Sequence, residues 1–285
     1  MKRVLITGAN SYIGTNVERW LLREPDKYHV DTLDLKDPSW KNYDFSPYDV
    51  VFHVAGIAHV SRNPKLKDLY YSVNRDLAIE TAKKAKDDGV KQFIFMSSII
   101  VYGDSSSSKR VITKDTVPTP SNFYGDSKLQ AEQGIRALES ESFKVVILRP
   151  PMIYGKGCKG NYPKLAKLAL KLPFFPDIYN ERSMLYIDNL CEFIRLMIDN
   201  EERGIFFPQN KEYVKTSEMV RLIAEAHGKK IKLVKLFNIP IKLLGFIFKF
   251  VNKVFGNMVY ELSMSEYKDD YQIIDYNTSI MNTEK

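Results

Sequence analysis

Short, mostly apolar runs alternate with longer amphipathic stretches through the first half of this 285-residue chain. The runs have the length of strands that are buried on both faces of a parallel sheet. They fall at 4–6, 30–35, 49–56, 90–96 and 144–149. Helical patterns begin near residue 15 and cover 74–88 and 124–139. This β-α-β alternation predicts an α/β fold with a doubly wound parallel sheet.

The composition changes beyond Gly155, where loops rich in glycine and lysine and lysine-studded helices replace the alternating pattern. Pro150 and Pro151 end the last predicted strand, because proline donates no hydrogen bond to a ladder. We therefore predict a sheet domain and a smaller C-terminal substrate lobe. The predicted ranges are 1–155 with 184–200 for the sheet domain, and 156–183 with 201–285 for the lobe.

The most apolar stretch of the chain is 233–255, in which lysines recur and Pro240 interrupts the pattern. A helix that spans a bilayer needs about 20 predominantly apolar residues, so this segment is not predicted to cross a membrane. The preferred interpretation is a helix that covers the substrate cleft or a subunit contact. An amphipathic helix lying at a membrane surface is the alternative.

The segment TGANSYIG at 7–14, directly after the first strand, has the spacing of a phosphate-binding loop. Gly8 permits a tight turn, and Gly14 lets the next helix lie close to the strand, so the first amides of that helix face an anion. Ser11 occupies the place of the usual middle glycine. The residues expected at a dinucleotide pyrophosphate are Gly8, Asn10, Ser11, Tyr12, Ile13 and Gly14. The loop and the alternation together predict a Rossmann domain.

Asp34 lies at the end of the second predicted strand, where a dinucleotide-binding fold accepts the hydroxyl groups of the adenosine ribose. Its carboxylate and that of Asp37 repel a 2′-phosphate, so NAD(H) is the favoured cofactor. Lys36 could neutralise such a phosphate, which keeps NADP(H) open. The segment 36–44 is short for a crossover helix and predicts only a reduced strand beside an unusual adenine pocket.

Tyr124 and Lys128 are one helical turn apart, which places a phenol and an ammonium on one face of a predicted helix. The pKa of a free tyrosine is about 10, and a fixed positive charge favours its phenolate. The pair therefore indicates proton transfer near neutral pH. The same spacing is common on solvated helices, and the glycine loop in the same domain is what favours the catalytic interpretation.

The charge balance and the cysteine content narrow the classes of function. The 42 basic and 35 acidic residues give a formal charge of +7, which suits a nucleotide diphosphate and is too dispersed to indicate nucleic-acid binding. The two cysteines and four histidines form neither a disulfide framework nor a metal-ligand pattern. The first strand leaves no room for a targeting peptide, so we expect a cytoplasmic protein without a transmembrane span.

The order of these motifs resembles the extended short-chain dehydrogenase/reductase family, the NAD-dependent epimerases and dehydratases of nucleotide sugars. The matching segments are the glycine loop, Asp34, HVAG at 53–56, Asn74, SSIIVYG at 97–103, Tyr124 with Lys128, and LRP at 148–150. The resemblance covers nearly the whole chain. It implies a nucleotide-diphosphate sugar as substrate and a homodimer as the assembly.

The resemblance also implies roles for individual side chains. Tyr124 is the acid/base, Lys128 binds the nicotinamide ribose and lowers the pKa of the tyrosine, and Ser98 hydrogen-bonds the reacting oxygen, with Ser97 as a second candidate. Further cofactor contacts are expected from Leu35, Val54, Ala55, Gly56, Asn74 and Pro150. Asn161 and Arg182 are expected to bind the nucleotide diphosphate, Arg182 through charge-assisted hydrogen bonds.

Three activities and one non-catalytic role compete within this resemblance. The 4,6-dehydratases carry an Asp-Glu pair where this chain has Ile99 and Ile100, so dehydration is disfavoured. Segments 157–163 and 180–190 look like the 4-ketoreductases of bacterial surface-polysaccharide pathways, which favours NAD(P)H-dependent reduction of a nucleotide-linked 4-keto-6-deoxy sugar, a UDP-linked hexosamine. A UDP-sugar 4-epimerase is the alternative. A non-catalytic NAD(P)-binding regulator is disfavoured because the three catalytic side chains are intact.

Overall fold

The computed structural model describes residues 1–58, 63–106, 110–236, 252 and 254–285. Most of segment 233–255, for which we predicted a cleft-covering or interfacial helix, lies outside those residues. No helix in the described part is both long enough and apolar enough to span a bilayer. The chain divides into two compact units. The first comprises 1–103, 118–150 and 190–208, and the second comprises 104–117, 151–189 and 209–285.

Strands and helices alternate along the first half of the chain, as the hydrophobic pattern predicted. The strands are β1 (Lys2–Thr7), β2 (Tyr28–Leu33), β3 (Val50–His53), β4 (Gln92–Met96), β5 (Val111–Ile112), β6 (Lys144–Leu148), β7 (Met152–Tyr154), β8 (Phe174–Pro176), β9 (Met184–Tyr186), β10 (Gly204–Phe206), β11 (Lys232–Val234) and β12 (Val259–Tyr260). The α-helices are α1 (Tyr12–Leu21), α2 (Lys67–Tyr71), α3 (Ala78–Asp87), α4 (Phe123–Arg136), α5 (Tyr162–Lys171), α6 (Ile187–Asp199), α7 (Thr216–Ala226) and α8 (Tyr276–Glu284). A π-helical turn, Ser72–Leu77, joins α2 to α3.

A six-stranded sheet forms the centre of the first unit, in the order β10-β6-β4-β3-β1-β2, and every neighbouring pair is parallel. Its inner strands are buried and mostly apolar, as expected for a sheet that is covered on both faces. The chain runs from β1 outward to β2 and then returns to the other side of β1 as β3. Ligands of open α/β sheets bind at the carboxyl ends of the strands beside such a reversal. The predicted doubly wound α/β fold is confirmed.

Segment 36–44 contains no strand, contrary to the reduced strand that we predicted. Pro38–Asn42 forms a 3-10 helix, and Asp37 caps it by accepting a hydrogen bond from the amide of Ser39 at 2.8 Å. Trp40 is buried in the core of the unit. A proline at the first helical position and a carboxylate cap favour this turn over a strand, because the proline cannot donate to a ladder. β2 therefore remains the edge strand of the sheet.

The boundary between the units differs from the predicted one at four places. Residues 104–117 and 151–155, which we assigned to the sheet domain, belong to the second unit. β9 pairs with β7 and belongs to the second unit, whereas we expected 184–188 to return to the sheet domain. β10 pairs with β6 and belongs to the first unit, whereas we assigned the residues after 200 to the lobe. Strands of three residues carry too little periodicity to reveal their partners, so only the folded chain identifies them.

Candidate active site

The glycine loop leaves no room for side chains between β1 and the end of β3. Gly8 has a φ of 110°, which glycine adopts without strain, and a Cβ built there would lie 2.8 Å from the amide nitrogen of Ala55. A Cβ on Gly14 would lie 3.3 Å from the carbonyl oxygen of Gly8. The two glycines thus let α1 and the strand ends approach each other closely, as a phosphate-binding loop requires.

Ser11, which stands in place of the usual middle glycine, caps helix α1. Its Oγ accepts a hydrogen bond from the amide of Gly14 at 3.1 Å. Asn10 precedes it with a φ of 62°, a left-handed conformation that asparagine tolerates better than most residues. Tyr12 and Ile13 then form the first turn of the helix. Ser11 therefore departs from the glycine pattern because it caps the helix. The positive end of the α1 dipole lies just after β1.

Asp34 lies beside the glycine loop, since the amides of Gly8 and Ala9 both donate to the carbonyl oxygen of Leu33. The exposed Asp34 carboxylate accepts a hydrogen bond from the Lys36 amide at 3.0 Å, and the Lys36 Nζ is 3.7 Å away. An exposed pair of this kind contributes little free energy, so the carboxylate is available to ribose hydroxyls. The ribose-binding role of Asp34 stays a prediction.

Asn74 and Gly56 shape the loop that follows β3. The Asn74 side chain accepts a hydrogen bond from the Ile57 amide at 2.8 Å and donates one to the Ile57 carbonyl at 3.0 Å, so it clamps the loop. A Cβ on Gly56 would lie 3.0 Å from Asn74 Oδ1 and 3.3 Å from the Nζ of Lys128. The loop therefore runs directly against the predicted catalytic lysine, which explains why a glycine stands there.

The remaining predicted cofactor residues lie at strand ends of the same unit. The amide of Val54 continues the ladder to β1 at 3.0 Å, and Ala55 packs against the core. The carbonyl oxygen of Pro150 accepts a hydrogen bond from the Ile99 amide at 2.9 Å. The side chain of Leu35 is buried in the core, so only its backbone is left for the cofactor contact that we predicted.

The hydroxyl of Ser98 lies near that of Tyr124 and acts to lower its pKa. Tyr124 lies in the first turn of α4, where Asn122 caps the helix by accepting from the amides of Tyr124 and Gly125, each at 3.1 Å. A Cβ on Gly125 would lie 2.6 Å from the carbonyl oxygen of Ile100, so the glycine lets the helix touch the 3-10 turn that Ser98 caps. This contact brings the two hydroxyls together.

The two ionisable groups of α4 have shifted pKa values. Burial raises the pKa of Tyr124 to about 12, and the nearby Ser98 hydroxyl offsets only part of that effect. The Nζ of Lys128 donates to the carbonyl oxygen of Met96 at 2.8 Å, and burial lowers the pKa of Lys128 to about 8. Lys128 is not among the groups that shift the pKa of Tyr124 here, so the lowering that we expected from Lys128 stays a prediction. Near pH 7, Tyr124 is a neutral proton donor beside a cation.

Behind Lys128 lies a buried ion pair that the sequence did not lead us to expect. Glu132 accepts hydrogen bonds from Arg149 at 2.5 Å (Nη2) and 3.1 Å (Nε), and these side chains are 2% and 7% exposed. Arg149 also donates to the Tyr102 hydroxyl at 2.7 Å. Tyr124, Lys128 and Glu132 are spaced four residues apart, which is the signal that would have found the pair. A carboxylate on the buried face of a helix requires a cation.

Ser97 belongs to this ion-pair network, not to the catalytic pair. It is buried, and its hydroxyl donates to the carboxylate of Glu132. Neighbouring residues of an extended backbone point to opposite sides, and Ser98 is extended, with a φ of -167° and a ψ of 155°. The geometry therefore gives Ser97 a structural partner in place of the substrate contact that we predicted, and leaves Ser98 as the serine that meets Tyr124.

Asn161 and Arg182, the two predicted ligands of a nucleotide diphosphate, lie in the second unit. Asn161 is exposed just before α5, and its carbonyl oxygen accepts from the amides of Lys164 and Leu165. The backbone of Arg182 exchanges hydrogen bonds with Val214 at 3.0 Å and 2.8 Å. Burial lowers the pKa of Arg182 to about 10, so the guanidinium is charged at neutral pH. Their role stays a prediction.

The glycine loop at the reversal of the sheet, the acidic residue after β2 and the trio of Ser98, Tyr124 and Lys128 define a dinucleotide-dependent enzyme. Among the described residues, no group of three or more His, Cys, Asp or Glu side chains is placed to hold a metal ion. The NAD dependent epimerase/dehydratase family matches residues 4–207, and the chain belongs to this family. The family resemblance inferred from the motifs is confirmed, and so is NAD(H) as the favoured cofactor.

Relatives of this chain include both epimerases and reductases of nucleotide sugars. The chain is 31% identical over 278 residues to the UDP-glucose 4-epimerase of Vibrio cholerae, covering 90% of this chain and 83% of that protein. Its fold is similar to UDP-glucuronic acid 4-epimerase from Bacillus cereus in complex with NAD, with a TM-score of 0.74, 19% identity and coverage of 98% and 94%. It is equally similar to a dTDP-4-dehydrorhamnose reductase from Clostridium acetobutylicum, with a TM-score of 0.75, 18% identity and coverage of 99% and 98%. The fold alone therefore does not distinguish the two activities.

Proposed function

We propose that this protein reduces the 4-keto group of a nucleotide-linked 4-keto-6-deoxy sugar with NADH. The observation that carries the proposal is that the Ser98 hydroxyl lies near the phenol of Tyr124, whose helix also carries the buried ammonium of Lys128 one turn further on. A tyrosine whose pKa is raised to about 12 is protonated at neutral pH, which is the state that a ketone reduction consumes. Such a site is prepared to donate a proton to an oxygen that becomes negatively charged.

Proton and hydride must both reach the carbonyl group. The reduced nicotinamide, when bound, supplies the hydride to the sugar carbon. Tyr124 donates its phenolic proton to the carbonyl oxygen, while the Ser98 hydroxyl fixes that oxygen by a hydrogen bond. The phenolate that remains is stabilised by the Lys128 ammonium until it takes a proton from solvent. One ketone, one hydride and one proton thus give one alcohol.

The residues after Ser98 support a reaction that begins from a ketone made elsewhere. Ile99 and Ile100 lie in the 3-10 turn that Ser98 caps, and neither side chain can transfer a proton. A dehydratase has to remove a proton from one sugar carbon and protonate a leaving hydroxyl on another. Neither of these two positions carries a group for either task, so we infer that a separate dehydratase supplies the ketone.

A UDP-sugar 4-epimerase is the second candidate, and the resemblance to the Vibrio cholerae epimerase over most of both chains favours it. The same three side chains would serve an epimerase, since Tyr124 would first accept and later return the proton at the C4 oxygen. The difference lies in the cofactor. An epimerase keeps its NAD through the cycle and turns the keto sugar within the site, whereas a reductase must exchange NAD for NADH at each turnover.

Substrate conversion separates these two candidates. We expect the protein to consume about one NADH per UDP-linked 4-keto-6-deoxy-N-acetylhexosamine reduced, when a separate dehydratase supplies that ketone. We expect no conversion of UDP-N-acetylglucosamine itself. NMR of UDP-N-acetylglucosamine or UDP-glucose incubated overnight without added NADH provides the comparison. The appearance of the corresponding galacto isomers would contradict the reductase proposal and establish the epimerase.

Asp34 is expected to enforce a preference for NADH over NADPH. Hydrogen bonds from ribose hydroxyls to a carboxylate are worth about 1.5–3 kcal/mol, so Asp34→Ala should weaken NADH binding by roughly 10- to 100-fold. NADPH binding should weaken less or improve, because a repelling charge is removed. Fluorescence titration of both cofactors gives the ratio.

Lys36→Ala is the matched control for that titration, because it removes the other charge of the exposed Lys36–Asp34 pair. We expect this variant to keep or increase the preference for NADH. A wild-type protein that binds NADPH as tightly as NADH would contradict the role of Asp34 and show that Lys36 determines the choice.

Further parts of the proposal come from the sequence. We propose that Arg182 and Asn161 bind the nucleotide diphosphate, with UDP as the favoured nucleotide. A place in surface-polysaccharide synthesis, a homodimer and a cytosolic location stay predictions. Cross-linking and light scattering of the purified protein would test the dimer without reference to the reaction.

A further inference from the structure

Two long stretches of this chain contain lysines but no acidic residues. Residues 151–176 carry no Asp or Glu, and neither do residues 226–260. The lysines of the first stretch are Lys156, Lys159, Lys164, Lys167 and Lys171. The lysines of the second are Lys229, Lys230, Lys232, Lys235, Lys242, Lys249 and Lys253. In a chain with 35 acidic residues, this segregation concentrates positive charge wherever the two stretches meet.

The two stretches meet in the second unit. β8, at the end of the first stretch, pairs in parallel with β11 of the second, and Phe174 lies opposite Lys232 in that ladder. The Nζ of Lys229 donates to the carbonyl oxygen of Leu170 at 2.8 Å, which ties the second stretch to the end of α5. The end of the first stretch and the start of the second therefore lie side by side.

Large apolar side chains lie among the lysines of the two stretches. Along α5, lysines and leucines at a spacing of three and four residues share the exposed face. Phe174 is 47% exposed and Leu236 is 83% exposed. We call the whole set the basic face. Its members are Lys164, Lys167, Leu168, Lys171, Leu172, Phe174, Lys229, Lys230, Lys232, Lys235 and Leu236.

No carboxylate among the described residues forms an ion pair with the lysines of the basic face. Asp177, the acidic residue that follows β8, pairs with Lys215 at 2.6 Å and accepts a hydrogen bond from Ser217 at 3.0 Å. Its carboxylate also interacts with the charge of Lys235, so one lysine of the face is partly compensated. The basic face therefore combines a net positive charge with exposed leucine and phenylalanine side chains.

We propose that the basic face binds the surface of a bilayer that contains anionic phospholipids. Lysine ammonium groups on flexible stems reach lipid phosphates, while leucine and phenylalanine enter the boundary between headgroups and acyl chains. A protein partner is a poorer match, because the centres of protein interfaces are depleted of lysine. Nucleic acid is also a poorer match, because binding to its phosphate backbone would not bury the exposed leucines. The proposal does not depend on the reaction that the enzyme catalyses.

Vesicle sedimentation tests the proposal with the full-length protein. We expect binding to vesicles of 70% phosphatidylcholine and 30% phosphatidylglycerol, weakening with added salt, and no binding to pure phosphatidylcholine vesicles. Each lysine near an anionic surface contributes about fivefold in affinity. The triple variant Lys167→Gln/Lys171→Gln/Lys232→Gln should therefore bind on the order of 100-fold more weakly. Phe174→Ser should also weaken binding, and its effect should persist at high salt.

The matched control is Lys65→Gln/Lys83→Gln/Lys114→Gln, which makes the same change in net charge at exposed lysines outside the basic face. This variant should bind anionic vesicles nearly as well as the wild type. An equal loss of vesicle binding in both triple variants would overturn the basic face as the binding site. So would a wild-type protein that does not bind anionic vesicles. Tighter binding to duplex DNA than to vesicles at the same salt, or self-association that the first triple variant abolishes, would assign the face to a different partner. Circular dichroism and NADH binding verify that each variant is folded.

Discussion

Replacing Tyr124 with Phe is expected to lower turnover by about 10²- to 10⁴-fold, the usual contribution of a positioned general acid. The substitution removes the phenolic proton, but it keeps the ring that packs edge-on against Tyr70, with 5.7 Å between the ring centroids. NADH binding should therefore change little. The measurement is the loss of reduced-nicotinamide absorbance with the ketone substrate, together with a fluorescence titration of the cofactor. The expectation holds for a reductase and for an epimerase, because both require this proton.

Tyr71→Phe is the matched control for this prediction. Tyr71 lies in the same unit and donates its phenolic hydrogen bond to Asp126 at 2.5 Å, so the variant loses a hydroxyl without losing the proposed acid. We expect its turnover to stay near that of the wild type. Full activity in Tyr124→Phe would refute the proposed mechanism, and equal losses in both variants would show that the effect is structural.

The raised pKa of Tyr124 also predicts which group sets the pH dependence of the activity. A phenol with a pKa of about 12 does not titrate between pH 6 and pH 10, so it stays a donor across that range. Lys128, whose pKa is lowered to about 8, does lose its proton there. We therefore expect activity to decline at alkaline pH because Lys128 loses its proton. Tyr124, the residue that transfers the proton in the reaction, stays protonated over that range.

The parallel sheet could be predicted because its strands are buried on both faces. Val4, Leu5 and Ile6 are fully buried, and such a run has no polar alternation that would suggest a half-exposed strand. The glycine loop was equally predictable, because a Cβ at Gly8 would collide with the backbone of Ala55 and a Cβ at Gly14 would crowd the Ser11 hydroxyl. These features depend on residues close together in sequence, so local sequence patterns predict them.

Features that depend on distant partners were missed. Glu132 and Arg149 are 17 residues apart, and only the packing of α4 against the end of β6 reveals that they pair. Ser97 was assigned to the substrate for the same reason, since its partner Glu132 was unknown. The three-residue strands β9 and β10 likewise owe their positions to β7 and β6. Tertiary contacts, not local propensity, decide each of these cases.

The ion pair of Glu132 and Arg149 is expected to support both the stability of the first unit and the charge of Lys128. Glu132→Gln leaves a buried guanidinium without its carboxylate, which typically costs about 3–5 kcal/mol in the free energy of unfolding. Chemical denaturation monitored by circular dichroism measures this loss. Replacing both partners, as in Glu132→Leu/Arg149→Met, should cost less than the single change, because no unpaired charge stays buried.

The effect on Lys128 has a direction that follows from its surroundings. His53, on β3, is buried and neutral, since burial lowers its pKa to about 3. Tyr124 is neutral as well, and the charge of Arg149 is already engaged by Glu132. Glu132 is therefore the group that raises the pKa of Lys128 against the effect of burial. Without Glu132, the pKa of Lys128 should fall below about 8.

Cofactor affinity as a function of pH tests this second role of the pair. In the wild type, Lys128 is protonated below a pKa of about 8, so NAD affinity should be full at lower pH and fall as the pH rises through that value. In Glu132→Gln the fall should begin at a lower pH. The double variant, which keeps the measurement possible if the single variant does not fold, should show a smaller shift in the same direction, because the charge of Arg149 is removed together with that of Glu132. An unchanged pH profile in a folded variant would mean that Glu132 and Arg149 only stabilise the fold, and that Lys128 keeps its charge without them.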